Sequence, residues 1–529
     1  MVNQTLLVVP IIISPLLFIL TSILSSFWPG TRPAPVIRMG AAATKVNLVV
    51  ALYGIMLVAI YGASEGGTPE LGGLGLTFRL DPLSMLMYSM IALLGFIIIK
   101  FSRNYLDGDA RHGVFMGRLS ATIAAVQFLV LSGNLLVLFL SWVLTSLMLH
   151  RLLIFYPERR RAVVAARKKF IVARLGDLSL LVASILIYLQ YSTGNLETIF
   201  KAVKESANLP IGVEIAALLL AIAALLKSAQ FPTHGWLIEV METPTPVSAL
   251  LHAGLLNAGP FLMIRMAFLV SHSIAAPVLL IIMGALTALI ASVSYMTQAS
   301  VKTALGYSSV AHMGFMLLVC GIGVYPAAML HLVSHSFYKA HAFLASGSTV
   351  DTIRASRIKE PRRTGNPIKI AVSIFFAFLI YFVFSAFWGI DHSRDFALLA
   401  TGAIVVMGLS QIIAPALDSD GYWISVVRAS LLSILVALLF FSLESVSHYL
   451  LHTQLPELIE PNTLTKLLIV SVLAVFAVTV FIQIIAPVVK HTIFWQKLGV
   501  HFRNGFYVNA FFDRLTGAFD IQYLSQKLK

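Results

Sequence analysis

The sequence predicts an all-α polytopic membrane protein with about fifteen transmembrane helices. Three observations predict it. Hydrophobic residues fill 58% of the 529 positions and charged residues only 11%, too little polar surface for a water-soluble globule of this length. The apolar residues gather into runs near or above the roughly 20 residues that cross a bilayer. One run breaks at Lys227-Ser-Ala-Gln-Phe-Pro-Thr-His-Gly-Trp236 and leads into Pro244-Thr-Pro-Val-Ser-Ala-Leu-Leu-His252. Irregular backbone at membrane depth is tolerated only where it is covered by protein or lines a cavity.

In chain order the spans centre near Leu17, Val50, Met90, Ala124, Val143, Leu181, Ala221, Leu255, Ala285, Met313, Ser336, Phe378, Ile404, Leu435 and Ala474. The first, Thr5 to Phe27, has no basic flank and exceeds a typical signal-peptide core, so it reads as a retained span. The net charge of +14 invites a nucleic-acid reading, but the excess sits in the connections. Pro157-Glu-Arg-Arg-Arg161 with Arg167, Lys168 and Lys169 follows the fifth span; Arg354, Arg357, Lys359, Arg362, Arg363 and Lys369 follow the eleventh. The positive-inside rule puts both in the cytoplasm. Counting outward gives an external N-terminus, a cytoplasmic Arg32/Arg38 loop, external loops around Gly66 to Leu80 and Glu457/Glu460, and a cytoplasmic C-terminus. Gly72 to Gly75 lie in an external loop with no helix directly following, which excludes a phosphate-cradling site. The tail, 490–529, mixes Trp495, Phe502, Phe506, Tyr507, Phe511 and Phe512 with basic residues, the pattern of an interfacial or partner-binding segment. Cys320 is the single cysteine, which excludes a disulfide framework and a self-contained iron–sulfur or Cys-rich zinc site. No cofactor and no catalytic centre are expected in this chain; soluble chemistry would belong to a partner.

The polar residues inside the spans are the functional candidates, because a charge at the bilayer centre costs several kcal/mol. Lys227 reads as a proton relay, or else as a fixed ion pair or a snorkelling lysine. Arg174 and Asp177, three apart, share a helix face; Asp177 is the candidate partner of Lys227, or Arg174 and Asp177 neutralise each other as a structural pair. His331, His335 and Lys339 recur every fourth residue and so form one stripe, which with His252 and His312 would make a polar axis along the midplane. Hydrogen-bonded structural histidines and a two-histidine metal site are the competing readings, the second weakened by the lack of a nearby acid or cysteine. Glu239 and Glu242 end the broken helix as a proton entrance or as solvated charges.

These stretches resemble the antiporter-like proton-translocating family: the large distal subunit of respiratory complex I, the large subunits of multisubunit antiporters, and their relatives. The resemblance rests on Phe78-Arg-Leu-Asp81-Pro-Leu-Ser, Arg174-Leu-Gly-Asp177, Lys227-Ser-Ala-Gln, Pro244 to His252, Leu305-Gly-Tyr-Ser-Ser309 and Ser334-His-Ser-Phe-Tyr-Lys339-Ala. It implies inverted repeats with a broken helix near Phe231–Gly235. Residues 1–112 would carry three N-terminal helices, 113–272 the first repeat, 273–416 a second, degenerate repeat, 417–489 the last helices and 490–529 the tail. Three departures narrow the resemblance: Val143 stands in Ser141-Trp142-Val143-Leu144 where the complex I subunits have a glutamate, Ile370 to Ile390 carries no central lysine or proline, and the long lateral helix is missing. That variant is similar to the DabB family, the membrane subunits of DAB inorganic-carbon transporters. The resemblance implies a bacterial inner-membrane subunit that conducts protons and joins a large cytoplasmic zinc protein, DabA-like, with a carbonic-anhydrase-like site. The alternatives are a pump subunit of a complex I or hydrogenase type, a cation/proton antiporter subunit, or an anchor whose polar residues are vestigial.

Overall fold

The computed structural model describes residues 7–68, 72–206, 208–348, 364–389, 396–419, 423–458, 463–489 and 492–515. A short 3-10 turn leads into α1 (Ile13–Phe27), then α2 (Ala34–Tyr61), the strands β1 (Ser64–Gly67) and β2 (Thr77–Leu80), α3 (Pro82–Tyr105), α4 (His112–Val130), α5 (Leu135–Leu153), α6 (Arg160–Tyr191) and α7 (Leu196–Glu205). The central stretch holds α8 (Ile211–Lys227), α9 (Gly235–Glu239), α10 (Thr245–Ala253), α11 (Ala258–Arg265) and α12 (Ala267–His272). There follow α13 (Ala275–Tyr295), α14 (Val301–Ile322), α15 (Tyr325–Leu344), α16 (Pro367–Phe387), α17 (Phe396–Leu417), α18 (Trp423–Leu451), α19 (Thr463–Val489), α20 (Ile493–Arg503) and α21 (Val508–Leu515).

Among the described residues thirteen helical stretches are long and apolar enough to cross a membrane. Two of the fifteen expected spans fall outside these thirteen, for physical reasons. α8 is 17 residues long and stops at Lys227, while α15 is diluted by His331, His335, Lys339 and His341. Local chemistry sets many of the ends. Asp81 caps α3 reciprocally with Ser84 ahead of Pro82 at the first helical position, and Asn134 caps α5. α16 runs unbroken, in keeping with its lack of an internal proline.

Two features depart from the expected layout. β1 and β2 pair antiparallel, Ser64 with Leu80 and Gly67 with Thr77, in what was read as plain loop. Arg167, Lys168 and Lys169 belong to no loop: α6 begins at Arg160 and is 32 residues long, so these cations ride on a helix, with Lys168 1% and Lys169 5% exposed. Arg354, Arg357, Lys359, Arg362, Arg363 and Glu460 lie outside the described residues.

The stretch Thr245–Arg265 is buried, whereas only 22% of the apolar spans of α18 and α19 is, so those helices face lipid or another subunit. Helices α13 and α14 cross at facing glycines. A Cβ on Gly284 would lie 2.6 Å from the Gly314 carbonyl, and one on Gly314 2.7 Å from the Gly284 carbonyl. Near the N-terminus, Gln127 donates to Asn47 Oδ1 (2.8 Å), which also accepts from Ser14 (2.9 Å), tying α4, α2 and α1 through a buried polar knot.

Candidate ion path

The break after α8 puts Lys227 at the last helical position, where Nζ leaves the helix and turns toward α5. Its three donors are all used, on the Trp142 carbonyl (2.9 Å), Thr145 Oγ1 (2.9 Å) and Ser146 Oγ (2.6 Å). The ammonium also lies 4.4 Å from the centre of the Trp142 ring. Every partner is neutral. Among the described residues no carboxylate forms an ion pair with Lys227, so the fixed ion-pair reading has no geometry behind it.

Asp177 pairs instead with Arg174, Nη2 to Oδ2 at 2.5 Å, while the Arg174 guanidinium sits 4.9 Å from the Phe170 ring. The pair lines a cavity of about 340 Å³ with Phe139, Leu140, Val143 and Leu144. The carboxylate therefore faces the same space as Val143. Lys169, five residues before Arg174 on α6, donates to the Ser146 carbonyl (2.8 Å), so one residue of α5 holds two lysines, Lys227 through its hydroxyl and Lys169 through its backbone. Lys169 and Lys168 were read as loop charges counting only toward topology. Their signal was available in the spacing: Asp177 lies eight residues after Lys169, about two turns along a helix that starts earlier than hydropathy suggests.

Glu239 is not a free carboxylate at the end of the broken helix. Lys168 Nζ meets both its oxygens at 2.7 and 2.6 Å, and Asn509 of α21 donates to it at 2.5 Å. Lys168 also contacts Asp513, so the tail is clamped under the broken helix. Glu242 is 41% exposed and 3.9 Å from Arg161, and its carbonyl accepts from Arg159.

From Lys227 a polar seam crosses to α15. Ser228 donates to the Leu256 carbonyl (2.9 Å), and the next residue, Asn257, donates to Ser336 Oγ (2.7 Å), beside His335. Neither Ser228 nor Asn257 was singled out from sequence, although an asparagine in an apolar span is a legible signal. His252, in the last turn of α10, is fully buried with its ring stacked on Phe343 at 4.3 Å. His312 Nδ1 and His331 Nε2 lie 3.0 Å apart, and the His335 ring is 5.0 Å from that of His312. Lys339, 0% exposed, donates to Ser308 Oγ (2.8 Å) and to the Leu305 carbonyl (3.2 Å). Thus the structure brings His252, His312, His331, His335 and Lys339 together on α10, α14 and α15. No group of three or more His, Cys, Asp or Glu side chains converges as a metal site among the described residues.

At the opposite end, a second charge cluster surrounds Asp81. Arg79 Nε (2.7 Å) and Arg265 Nη1 (2.5 Å) both reach Asp81 Oδ2, and Arg79 also meets Glu65 (3.1 Å) and Glu197 (2.6 Å). Burial alone would raise the Asp81 carboxyl, but Arg265 and Arg79 hold it well below the usual carboxylate range. Burial likewise opposes ionisation of Glu197 on α7, and Arg79 overrides it, so that carboxyl is lowered too. This cluster joins β1, β2, the start of α3, α7 and α11; Arg265 was missed because it ends an apolar run.

Residues 132–390 match the family model described as NADH:quinone oxidoreductase/Mrp antiporter, TM, and residues 72–116 the one described as NADH-Ubiquinone oxidoreductase (complex I), chain 5 N-terminus. The "Probable inorganic carbon transporter subunit DabB2" of Halothiobacillus neapolitanus is 34% identical over 85% of this chain and 81% of its own. The "Probable inorganic carbon transporter subunit DabB" of Hydrogenovibrio crunogenus is 42% identical over 52% of this chain and 54% of its own. NADH-quinone oxidoreductase subunit L of Pseudomonas aeruginosa is 36% identical over 52% and 45%. The fold is shared with a chain of the Mrp complex from a Dietzia species, at TM-score 0.65 and 22% identity over 92% of this chain and 57% of that one. The chain is therefore a multi-pass member of the antiporter-like family of ion-translocating membrane subunits, and within it belongs with the DabB inorganic carbon transporter subunits.

Proposed function

We propose that this chain is the proton-conducting subunit of an energy-coupled inorganic-carbon uptake complex in a bacterial inner membrane, with its N-terminus outside and its C-terminus in the cytoplasm. Protons descend their gradient through Lys227, with Asp177 as the nearby acid, and on through His252, His335 and Lys339. A zinc-containing cytoplasmic partner with a carbonic-anhydrase-like site hydrates CO2, and the proton current makes that step one-way. The carrying observation is the setting of Lys227: three neutral acceptors and, among the described residues, no ion-pair partner, an arrangement in which a moving charge nearby can change its protonation. Lys339 repeats the pattern with Ser308 and a carbonyl. The names of the DabB relatives support the carbon substrate. Moving one charge through 100 mV yields about 2.3 kcal/mol, so one or two protons per cycle bias a reversible hydration more than tenfold.

The test is bicarbonate accumulation in carbonic-anhydrase-deficient bacteria expressing this chain with a large soluble zinc protein of the DabA type, before and after an uncoupler. Accumulation abolished both by the uncoupler and by Lys227→Ala, with the variant still membrane-inserted and as heat-stable as the parent, is the expected result. Accumulation that survives both treatments rejects proton coupling. If nothing accumulates while both proteins assemble, the redox-linked or antiporter reading takes its place.

A further inference from the structure

Between α13 and α14 on one side and α17 and α19 on the other lies a cavity of about 510 Å³. Its wall includes Tyr295 and Met296 at the end of α13, Ser308 and His312 on α14, His331 on α15, Gln411 on α17 and Gln483 on α19. Resting on the proton-conducting reading above, we propose that this cleft is a water-filled vestibule leading from the face bearing the α13–α14 loop and the tail to Lys339 and the His312–His331 pair.

Depth is the first argument. Tyr295 and Met296 mark the membrane edge of α13, whereas His312 is eleven residues into α14, about 16 Å along its axis at 1.5 Å per residue. The cavity touches both, so it runs from the surface to the histidine cluster. Chemistry is the second. Gln411 and Gln483 each sit six residues before the end of their helix, about 9 Å in. Gln411 donates to Gln483, which satisfies only part of each amide, and the remaining donors and acceptors would be costly against hydrocarbon. A hydrated cleft satisfies them. Contact with the path is the third: Ser308 lines the cavity while accepting from Lys339, so a single hydroxyl separates the buried ammonium from the vestibule. Room is ample, since a water occupies about 30 Å³ and needs two to four polar partners. The route supplies what the unbroken α16, with no lysine or proline at its centre, does not.

The chain's single cysteine makes the test direct. Cys320 is 1% exposed, and in a Cys320→Ser background Gly408→Cys places a thiol on the cavity wall where an added Cβ meets nothing within 4 Å. Thr479→Cys probes the neighbouring α19 part of that wall. Vesicles of either orientation, made from cells expressing the full chain, are treated with an impermeant cationic methanethiosulfonate. The expected outcome is modification of both thiols from the face of the α13–α14 loop only, about tenfold faster than of the parent, since thiolate forms only where water reaches. Modification should then lower uncoupler-sensitive proton flux about fivefold, as expected for a blocked pore. If neither thiol reacts from either side while Arg503→Cys in the tail does, the cleft holds lipid and the proposal falls. Modification without loss of flux removes the cleft from the path. Both outcomes are independent of bicarbonate accumulation, so they separate failure of the vestibule from failure of the functional reading.

Discussion

A buried charge is decided by what its neighbours offer. Lys227 rests on hydroxyls and a carbonyl, whereas Asp81 accepts from two arginines and from the Ser84 backbone, and the two arrangements predict opposite behaviour on substitution. Replacing Asp81 with asparagine leaves Arg79 and Arg265 facing each other without their shared anion, a loss of about 3 to 5 kcal/mol, read as a lower unfolding temperature in detergent. The same carboxylate sets a pH dependence. Its pKa is lower in the folded chain than in the unfolded one, so its contribution is fully present above the unfolded value near 4 and fades as pH falls through the folded value. Unfolding temperature should therefore hold between pH 8 and 5 as far as this group is concerned and drop in more acidic solution, and the Asp81→Asn variant should lack that drop. A parent that loses stability between pH 8 and 5 by an amount Asp81→Asn removes would contradict this assignment.

At the scale of elements, the break between α8 and α9 does two jobs. It ends the helix at Lys227, freeing the ammonium to reach α5, and it starts a short helix whose far end the tail holds through Lys168, Glu239, Asn509 and Asp513. The tail was expected on the membrane interface or on a partner; its α21 docks on the chain's own helices, while Ile493, Phe494 and Phe511 stay exposed. Gly235 makes the docking possible, since a Cβ there would fall 1.8 Å from Asn509 Oδ1. Gly235→Val should therefore loosen the tail. Limited proteolysis of membranes would show faster cleavage within residues 493–515 with the transmembrane core intact; an unchanged cleavage rate would mean that the clamp holds without this contact.

Over the whole molecule, the buried Thr245–Arg265 stretch joins the Lys227 side to the histidine side, and the tight α13–α14 crossing holds the latter in place. The crossing depends on backbones approaching closely, because between apolar helices in lipid it is packing that drives association. Gly284→Leu would force a side chain into the Gly314 carbonyl and the Leu318 backbone, which cannot move aside as a flexible side chain can. The expected consequence is a sharp fall in monodisperse protein on fluorescence-detected size exclusion. Equal yield for Gly284→Leu and the parent would show that the helices tolerate separation. The thinly covered α18 and α19 leave a broad apolar flank open to lipid or to a further subunit.

Hydrophobic run length settled the class of protein and nearly every span, because crossing a bilayer demands a minimum of apolar residues whatever the neighbours. A lysine beside a proline–glycine break marked the site for a similar reason: neither is tolerated in hydrocarbon without compensation. Which groups compensate was not legible. The hydroxyls of Thr145 and Ser146, the pairing of Asp177 with Arg174, the conversion of Lys168 and Lys169 from loop charges to buried helix residues, and the grip of Asp513 on α6 all join residues far apart in the chain. Periodicity reports which face of a helix is apolar, but the partner of a buried polar group is chosen by how helices pack, and only the tertiary structure fixes that.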